Sequence, residues 1–289
     1  MTTSPSKLVS VVVPNYNYEK YIKKRLETIL NQTYPIYELI ILDDASTDDS
    51  IVIIERELAK IKEKYPDLKV QFVVNEKNSG KAIKQWKKGF EMATGGYVWV
   101  AEADDLCSRR FLEEVMKEFD DPEVVLSYAE SKIINGNGVM LAPNFKWSRD
   151  KEKTGHYKNS YIKDGFREIE EIMAIRCTIP NVSAAVFKKS DKIPYTRYFD
   201  EAAEFLQVGD WYFYAKVLEH GKISYNKKAL NKFRVHKESK TAGAKKDKNH
   251  YEEILKIHKM FTIKYNLDSS MTKKMSDEEK RLAKRMTNK

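Results

Sequence analysis

From Leu8 to Phe119 the chain alternates two hydrophobic rhythms: short continuous apolar runs, and longer stretches with apolar residues every three or four positions. Leu8-Val9-Ser10-Val11-Val12-Val13 is a β-branched run stopped by Pro14-Asn15-Tyr16-Asn17, which predicts a buried strand entering a turn. Glu19–Asn31 carries Tyr21, Ile22, Leu26, Ile29 and Leu30 on one helical face. The pattern repeats with a strand at Tyr37–Leu42, a helix at Ile51–Lys64, a strand at Lys69–Val74 and a helix at Ile83–Ala93. Ser46 or Thr47 is the expected cap of the second helix, with Asp48 and Asp49 in its first turn. Gly95-Gly96 then introduces Tyr97-Val98-Trp99-Val100, and Ser108–Phe119 reads as another helix. Regular strand–helix alternation predicts a parallel sheet covered by helices on both faces.

The rhythm weakens afterwards. Val124–Tyr128 predicts a strand, and Asn135-Gly136-Asn137-Gly138 a hairpin turn within Ser131–Met140. Phe145–Lys163, with Trp147, Tyr157 and Tyr161, has no period and reads as loop. Phe166–Arg176 predicts a helix, and Thr178–Ser183 leads into a strand at Ala184–Phe187. Val208-Gly209-Asp210-Trp211 opens an apolar helix that His220-Gly221 closes.

Composition narrows the class. The 289 residues are 42% hydrophobic and 33% charged, enough for one large or two small globular domains. Of the formal charge of +9, most lies in the tail, where fifteen Lys/Arg face eight Asp/Glu between Lys237 and Lys289. Within that tail Tyr251–Ile263 is amphipathic, which predicts a helix; its default setting is solvent, and its basic face could meet anionic lipid. No recognition motif accompanies the charge, which argues against nucleic acid. Cys107 and Cys177 stand far apart without a CxxC, so a disulfide framework or zinc site is not expected and a reducing, cytoplasmic setting is. No apolar run approaches the roughly 20 residues of a membrane span, and Met1–Lys7 has no signal-peptide core.

The chemistry gathers at strand ends. Tyr97–Val100 runs into Glu102-Ala103-Asp104-Asp105, three carboxylates within four positions. Open α/β sheets bind ligands beyond the carboxyl ends of their strands. Crowded carboxylates repel one another unless a cation intervenes, and hard cations such as Mg²⁺ or Mn²⁺ take oxygen ligands. The competing reading makes Asp105 the cap of the Ser108 helix.

Five segments in register carry a resemblance: Val11–Asn17, Gln32-Thr33-Tyr34, Asp43–Asp48, Asn78-Ser79-Gly80-Lys81 and Glu102–Asp105. In order and spacing they resemble the nucleotide-sugar-binding half of family 2 glycosyltransferases. The resemblance implies a GT-A fold: an α/β, Rossmann-like, mostly parallel sheet flanked by helices, joined to a smaller acceptor-side sheet. It divides the chain into a catalytic domain at 1–240, with its nucleotide half at about 8–120 and its acceptor half at about 121–240, and a basic helical extension at 241–289. The implied activity is inverting transfer from a nucleotide-diphospho-sugar, of UDP or TDP type, to a saccharide or lipid-linked acceptor, as in surface polysaccharide synthesis, at the inner face of the membrane or in the cytoplasm.

On that resemblance, Pro14, Tyr16 and Asn17 lie beside the base, and Asp44 accepts the imide N–H of a uracil-like ring. Asn78, Gly80 and Lys81 form a turn toward phosphate. Asp104 and Asp105 hold Mn²⁺ or Mg²⁺, with Glu102 where Asp is usual. Lys232–Ser239 matches the family's Arg-x-His strand end, so His236 reaches the metal or diphosphate and Arg234 pairs with phosphate. Asp210 is the general base, a role compatible with its position at a helix start. Two rivals remain: a sugar nucleotidyltransferase, which carries a Gly-rich loop that Val13–Asn17 lacks, and a catalytically silent nucleotide-sugar-binding domain. A dehydrogenase is disfavoured because no GxGxxG follows a strand.

Overall fold

The computed structural model describes residues 7–146, 150, 154–236 and 248–287. Trp147, Lys237–Ser239 and the stretch 240–247 lie outside the described residues.

A single mixed sheet of ten strands forms the centre. In chain order they are β1 Val9–Asn15, β2 Glu38–Asp43, β3 Lys69–Val74, β4 Tyr97–Val100, β5 Leu106–Cys107, β6 Val124–Asn135, β7 Met140–Ala142, β8 Tyr161–Asp164, β9 Ala185–Lys188 and β10 Lys222–Val235. The order across the sheet is β3-β2-β1-β4-β9-β6-β10-β5, with β7 on β6 and β8 on β10. β3, β2, β1 and β4 are parallel. β9 runs antiparallel between β4 and β6 and makes β6 and β10 continuous with the parallel strands, where a smaller joined sheet was expected. β10 follows β6 in parallel with three register irregularities, which bend this half.

The helices are α1 Ile22–Leu30, α2 Ser50–Lys64, α3 Ala82–Met92, α4 Phe111–Met116, α5 Gly165–Glu168, α6 Tyr195–Ala203, α7 Gly209–Leu218, α8 Lys248–Lys264 and α9 Ser269–Thr287. Every residue of β1 and β2 is buried, so these strands read as unbroken apolar runs. Alternate side chains feed two cores. Val9, Val11 and Val13 meet α1, α2 and α4; Val12, Ile40 and Val100 meet α3, α6 and α7. Gly89 lets α3 ride close on β1, since a Cβ there would lie 2.2 Å from a Val12 Cγ1.

Several elements differ from the sequence expectation. α1 begins at Ile22 rather than Glu19, because a turn through Tyr18–Tyr21 comes first. The expected helix at 166–176 is the short α5 followed by a π-turn at Ile169–Met173. β8 arises within the stretch read as loop, and pairs with the first residues of β10. α6 had no sequence forecast. The tail is docked rather than solvated: Ile254, Ile257 and Phe261 of α8 and Met271 and Met275 of α9 join the core beside α7. No described helix is long and apolar enough to cross a membrane.

Candidate functional site

β1 and β4 are neighbours, while the chain runs from β1 through β2 and β3 on the other side. Their carboxyl ends therefore open the crevice typical of a strand-order reversal. A cleft of about 900 Å³ lies there. It brings together Pro14, Tyr16, Asn17, Asp44, Asn78, Gly80, Lys81, Glu102, Asp104, Asp105, Asp210 and Arg234. His236 is not among the lining residues; its ring packs against Tyr18 and Tyr21 instead.

One wall is a polar lattice between the ends of β1 and β2. Asn15 lies opposite Asp43 in register and donates to it at 2.7 Å. Ser46 donates to the same carboxylate at 2.7 Å and accepts the Asn17 N–H at 2.9 Å. Ser46 and Thr47 are thus not helix caps: α2 starts at Ser50, whose N–H goes to Asp48. Asn17 and Ala45 hold φ of +57° and +61°. A left-handed alanine is strained, and such strain persists only where surrounding bonds fix it. Tyr16 lines the cleft and is 43% exposed.

Asp44 is buried and organises the facing turn. Its Oδ1 accepts from Asn75, the Ser79 N–H and Gln85, at 2.7, 2.9 and 2.8 Å; its Oδ2 accepts from the Ser79 hydroxyl at 2.7 Å. A carboxylate offers about four lone-pair sites, so Oδ2 keeps capacity for a ligand donor. Gly80 adopts φ +82°, the conformation that requires glycine in this turn. Lys81 was expected to face phosphate. Its ammonium instead donates to the carbonyls of Ala203 and Phe205 at the end of α6, because those helix-terminal oxygens lie within reach.

The acidic end of β4 forms the opposite wall. Glu102 Oε1 accepts the Trp86 indole N–H at 2.6 Å, and its own N–H goes to the Ser183 hydroxyl at 3.1 Å. Burial and the Asp104 charge push the Glu102 carboxyl up to about 8. Asp105, 2% exposed, is no helix cap: Oδ1 accepts the Arg234 N–H at 2.9 Å. Burial and Asp104 raise it to about 7. Arg234 was expected at phosphate. Its guanidinium is turned onto the carbonyls of Asp104, Asn135 and Gly136, at 2.6, 3.0 and 3.0 Å, and lies over the Tyr21 ring. His236 Nε2 meets Asp104 Oδ2 at 3.0 Å. Among the described residues, no three Asp, Glu, His or Cys side chains converge as a ready-made cation cage.

Sequence reasoning missed Arg25. It lies wholly buried on the apolar face of α1, its guanidinium 5.0 Å from the Trp99 ring centroid, and its charge opposes the upward shifts of Glu102 and Asp105. The available signal was an arginine between Ile22, Leu26 and Ile29 on the buried stripe.

Asp210 enters the cleft from α7. It stands in the first turn, after Val208 as N-cap residue, and Oδ1 accepts the Trp211 N–H at 2.8 Å. Burial raises its carboxyl to about 6. Across the cleft stand protonatable oxygens at β4 and a hydrogen-bonding turn at β1 and β2.

This disposition of sheet, crevice and acidic strand end is that of a GT-A fold. The sequence model of Glycosyl transferase family 2 matches residues 10–174, and the chain belongs to that family. The chain is 34% identical over 123 residues to Glycosyltransferase GlyG of Streptococcus pneumoniae, covering 42% of this chain and 38% of GlyG. It is 31% identical over 132 residues to the poly(ribitol-phosphate) beta-N-acetylglucosaminyltransferase TarS of Staphylococcus aureus, covering 45% of this chain and 22% of TarS. The match thus spans less than half the length of these relatives. Among solved structures, TarS 1-349 in complex with UDP superposes with a TM-score of 0.63 at 19% identity, covering 95% of this chain and 71% of that one. Mannosyltransferase PcManGT from Pyrobaculum calidifontis, in complex with GDP-Man and Mn²⁺, gives 0.57 at 19% identity, covering 98% and 79%.

Proposed function

We propose that the chain is an inverting glycosyltransferase that takes a sugar from a nucleoside-diphospho-sugar of uracil or thymine type. The observation that carries this reading is Asp210: a half-buried carboxylate, raised to about 6 by desolvation, in one cleft with the acidic end of β4 and the Asp44 turn. Family membership supports the class of reaction, and the UDP complex of TarS supports the donor class.

In this reading Tyr16 lies against the base, and Asp44, Asn78 and Gly80 surround its polar edge. Asp104 and Asp105 would hold Mn²⁺ or Mg²⁺, with diphosphate oxygens completing the ligand set; hard cations are commonly bound by one or two carboxylates plus phosphates. The oxygen donors fit such an ion, and the Mn²⁺ complex of PcManGT supports the choice. The ion's contribution when bound is to neutralise charge that develops on the departing diphosphate. Glu102 stays tied to Trp86, and His236 and Arg234 hold the Asp104 backbone and side chain in place. Asp210 takes the proton of an acceptor hydroxyl as that oxygen bonds to the anomeric carbon, and the nucleoside diphosphate leaves from the opposite side with the bonding electrons. Inversion follows from the single displacement. A base near pH 6 is close to the operating pH at which general bases work best.

The test is a panel of UDP-, TDP- and GDP-sugars in thermal shift, with and without Mn²⁺, followed by nucleotide release. A ligand of the folded state raises Tm by mass action. The reading expects metal-dependent stabilisation by a uracil or thymine nucleotide, and nucleotide release that is lost in Asp210→Asn. Stabilisation without any release across the panel would favour a silent binding domain.

A further inference from the structure

Helix α8 of the C-terminal tail reaches the approach to Asp210. Glu253 of α8 accepts three consecutive backbone N–H groups: Leu206 at 2.5 Å on Oε1, then Gln207 at 2.8 Å and Val208 at 3.3 Å on Oε2. Val208 is the N-cap residue of α7, and its side chain has no oxygen with which to cap. Glu253 instead ties down, from outside the local sequence, the three residues that lead into the helix. Gln207, gripped by Glu253, and Asp210, two positions after the gripped Val208, both line the cleft. α8 holds the same region at two more points: Lys256 lies over the Phe205 ring at 4.7 Å, and the His258 ring meets Trp211 edge-on at 5.8 Å. Lys81 takes the carbonyls of Ala203 and Phe205 from the donor side. The segment 203–208 is thus clasped between an ammonium on the nucleotide half and a carboxylate on the tail.

We propose that Glu253 is a positioning residue for sugar transfer: from α8 it fixes residues 206–208 and so aims Asp210 and Gln207 into the cleft. The proposal rests on Asp210 as the base. Charge-assisted hydrogen bonds are the strong ones, and the rate of a positioned reaction falls steeply when geometry slips by about 1 Å. The matched family region ends at residue 174, so this role belongs to a part of the chain beyond it.

The experiment is a double-mutant cycle on nucleotide release, using the nucleotide-sugar that the native chain turns over fastest. It compares Glu253→Ala, Glu253→Gln, Asp210→Asn and the Glu253→Ala/Asp210→Asn pair, with UDP affinity by calorimetry and Tm for each. Glu253→Ala should slow release by about tenfold or more, with UDP affinity kept within about threefold. Glu253→Gln keeps one accepting oxygen and should recover part of the rate. In the Asp210→Asn background the same Glu253→Ala change should cost less than about threefold, since residues acting through one group are not additive. A native rate in Glu253→Ala, or an equal fractional loss in both backgrounds, overturns the positioning role alone. Native turnover in Asp210→Asn overturns both this role and the base assignment. If Glu253→Ala is unfolded at the assay temperature, the Gln variant carries the same cycle.

Discussion

The indole N–H of Trp86 donates to Glu102 Oε1 at 2.6 Å, joining α3 to the acidic end of β4. This bond gives the longer side chain at position 102 a purpose: one more methylene carries the carboxyl to the indole. It gives Glu102 a partner of its own, while Asp105 accepts the Arg234 N–H and Asp104 meets His236.

The first prediction follows from the protons these acids retain. Unfolded carboxyls titrate near about 4, whereas Glu102, Asp105 and Asp210 are held up to about 8, 7 and 6 in the fold. Across that window the folded chain binds more protons than the unfolded one. These groups therefore favour folding below the ordinary carboxyl range, and the contribution is lost as pH rises toward 8. Glu102→Gln keeps the acceptor for Trp86 but removes one titration. Its Tm should gain on the native protein as pH rises from about 5 to 8; a pH-independent difference would assign the raised titration elsewhere.

Asp105→Asn should weaken Mn²⁺-dependent UDP binding on the order of tenfold or more, the scale of a lost charged ligand contact. Titration calorimetry with and without Mn²⁺ measures it. Equal metal-dependent affinity in mutant and native protein would remove Asp105 from the metal set.

Asp44→Ala has two expected effects. The carboxylate carries four internal hydrogen bonds, so its loss should destabilise the turn as well as weaken UDP binding. At about 0.5–1.5 kcal/mol per net bond, a loss near 2 kcal/mol or more is expected, or about 3 °C or more in Tm. An unchanged Tm would contradict the hydrogen-bonded role; an unchanged UDP affinity in folded protein would contradict the role at the base.

Asp210→Asn separates catalysis from binding. Asparagine keeps size and an acceptor for the Trp211 N–H, so Tm should change little. Sugar transfer should fall on the order of 10²–10⁴-fold, with UDP affinity within a few-fold. The native pH–rate profile should lose activity on its acidic side near pH 6, where Asp210 gains its proton. A large drop in Tm accompanying the lost rate would return Asp210 to a structural part.

The first half of the chain was legible because its information is local. β1, β2 and β4 are buried on both faces, so each appears as a continuous apolar run, and the residue that ends each run is where the crevice must lie. Asp104 and Asp105 were legible as an acidic strand end, Asp44 was singled out by the family resemblance, and the cleft contains all three. The second half was harder to read because β10 mixes buried and exposed positions and pairs with β6 through register shifts. What tertiary structure decided was the choice of hydrogen-bond partner. Lys81 and Arg234 are long, flexible cations whose acceptors, the Ala203 and Asn135 carbonyls, come from distant segments that no sequence period brings near. The same holds for Arg25, whose burial beneath the acids depends on which face of α1 meets the sheet. It holds again for Glu253, which looks like one charge among many in a basic tail and grips the entry to α7 only once α8 buries Ile254 and Ile257 against the core. Strand and helix period follow from backbone geometry and neighbouring residues, whereas the partner of a charged side chain is set by desolvation, which exists only in the packed chain.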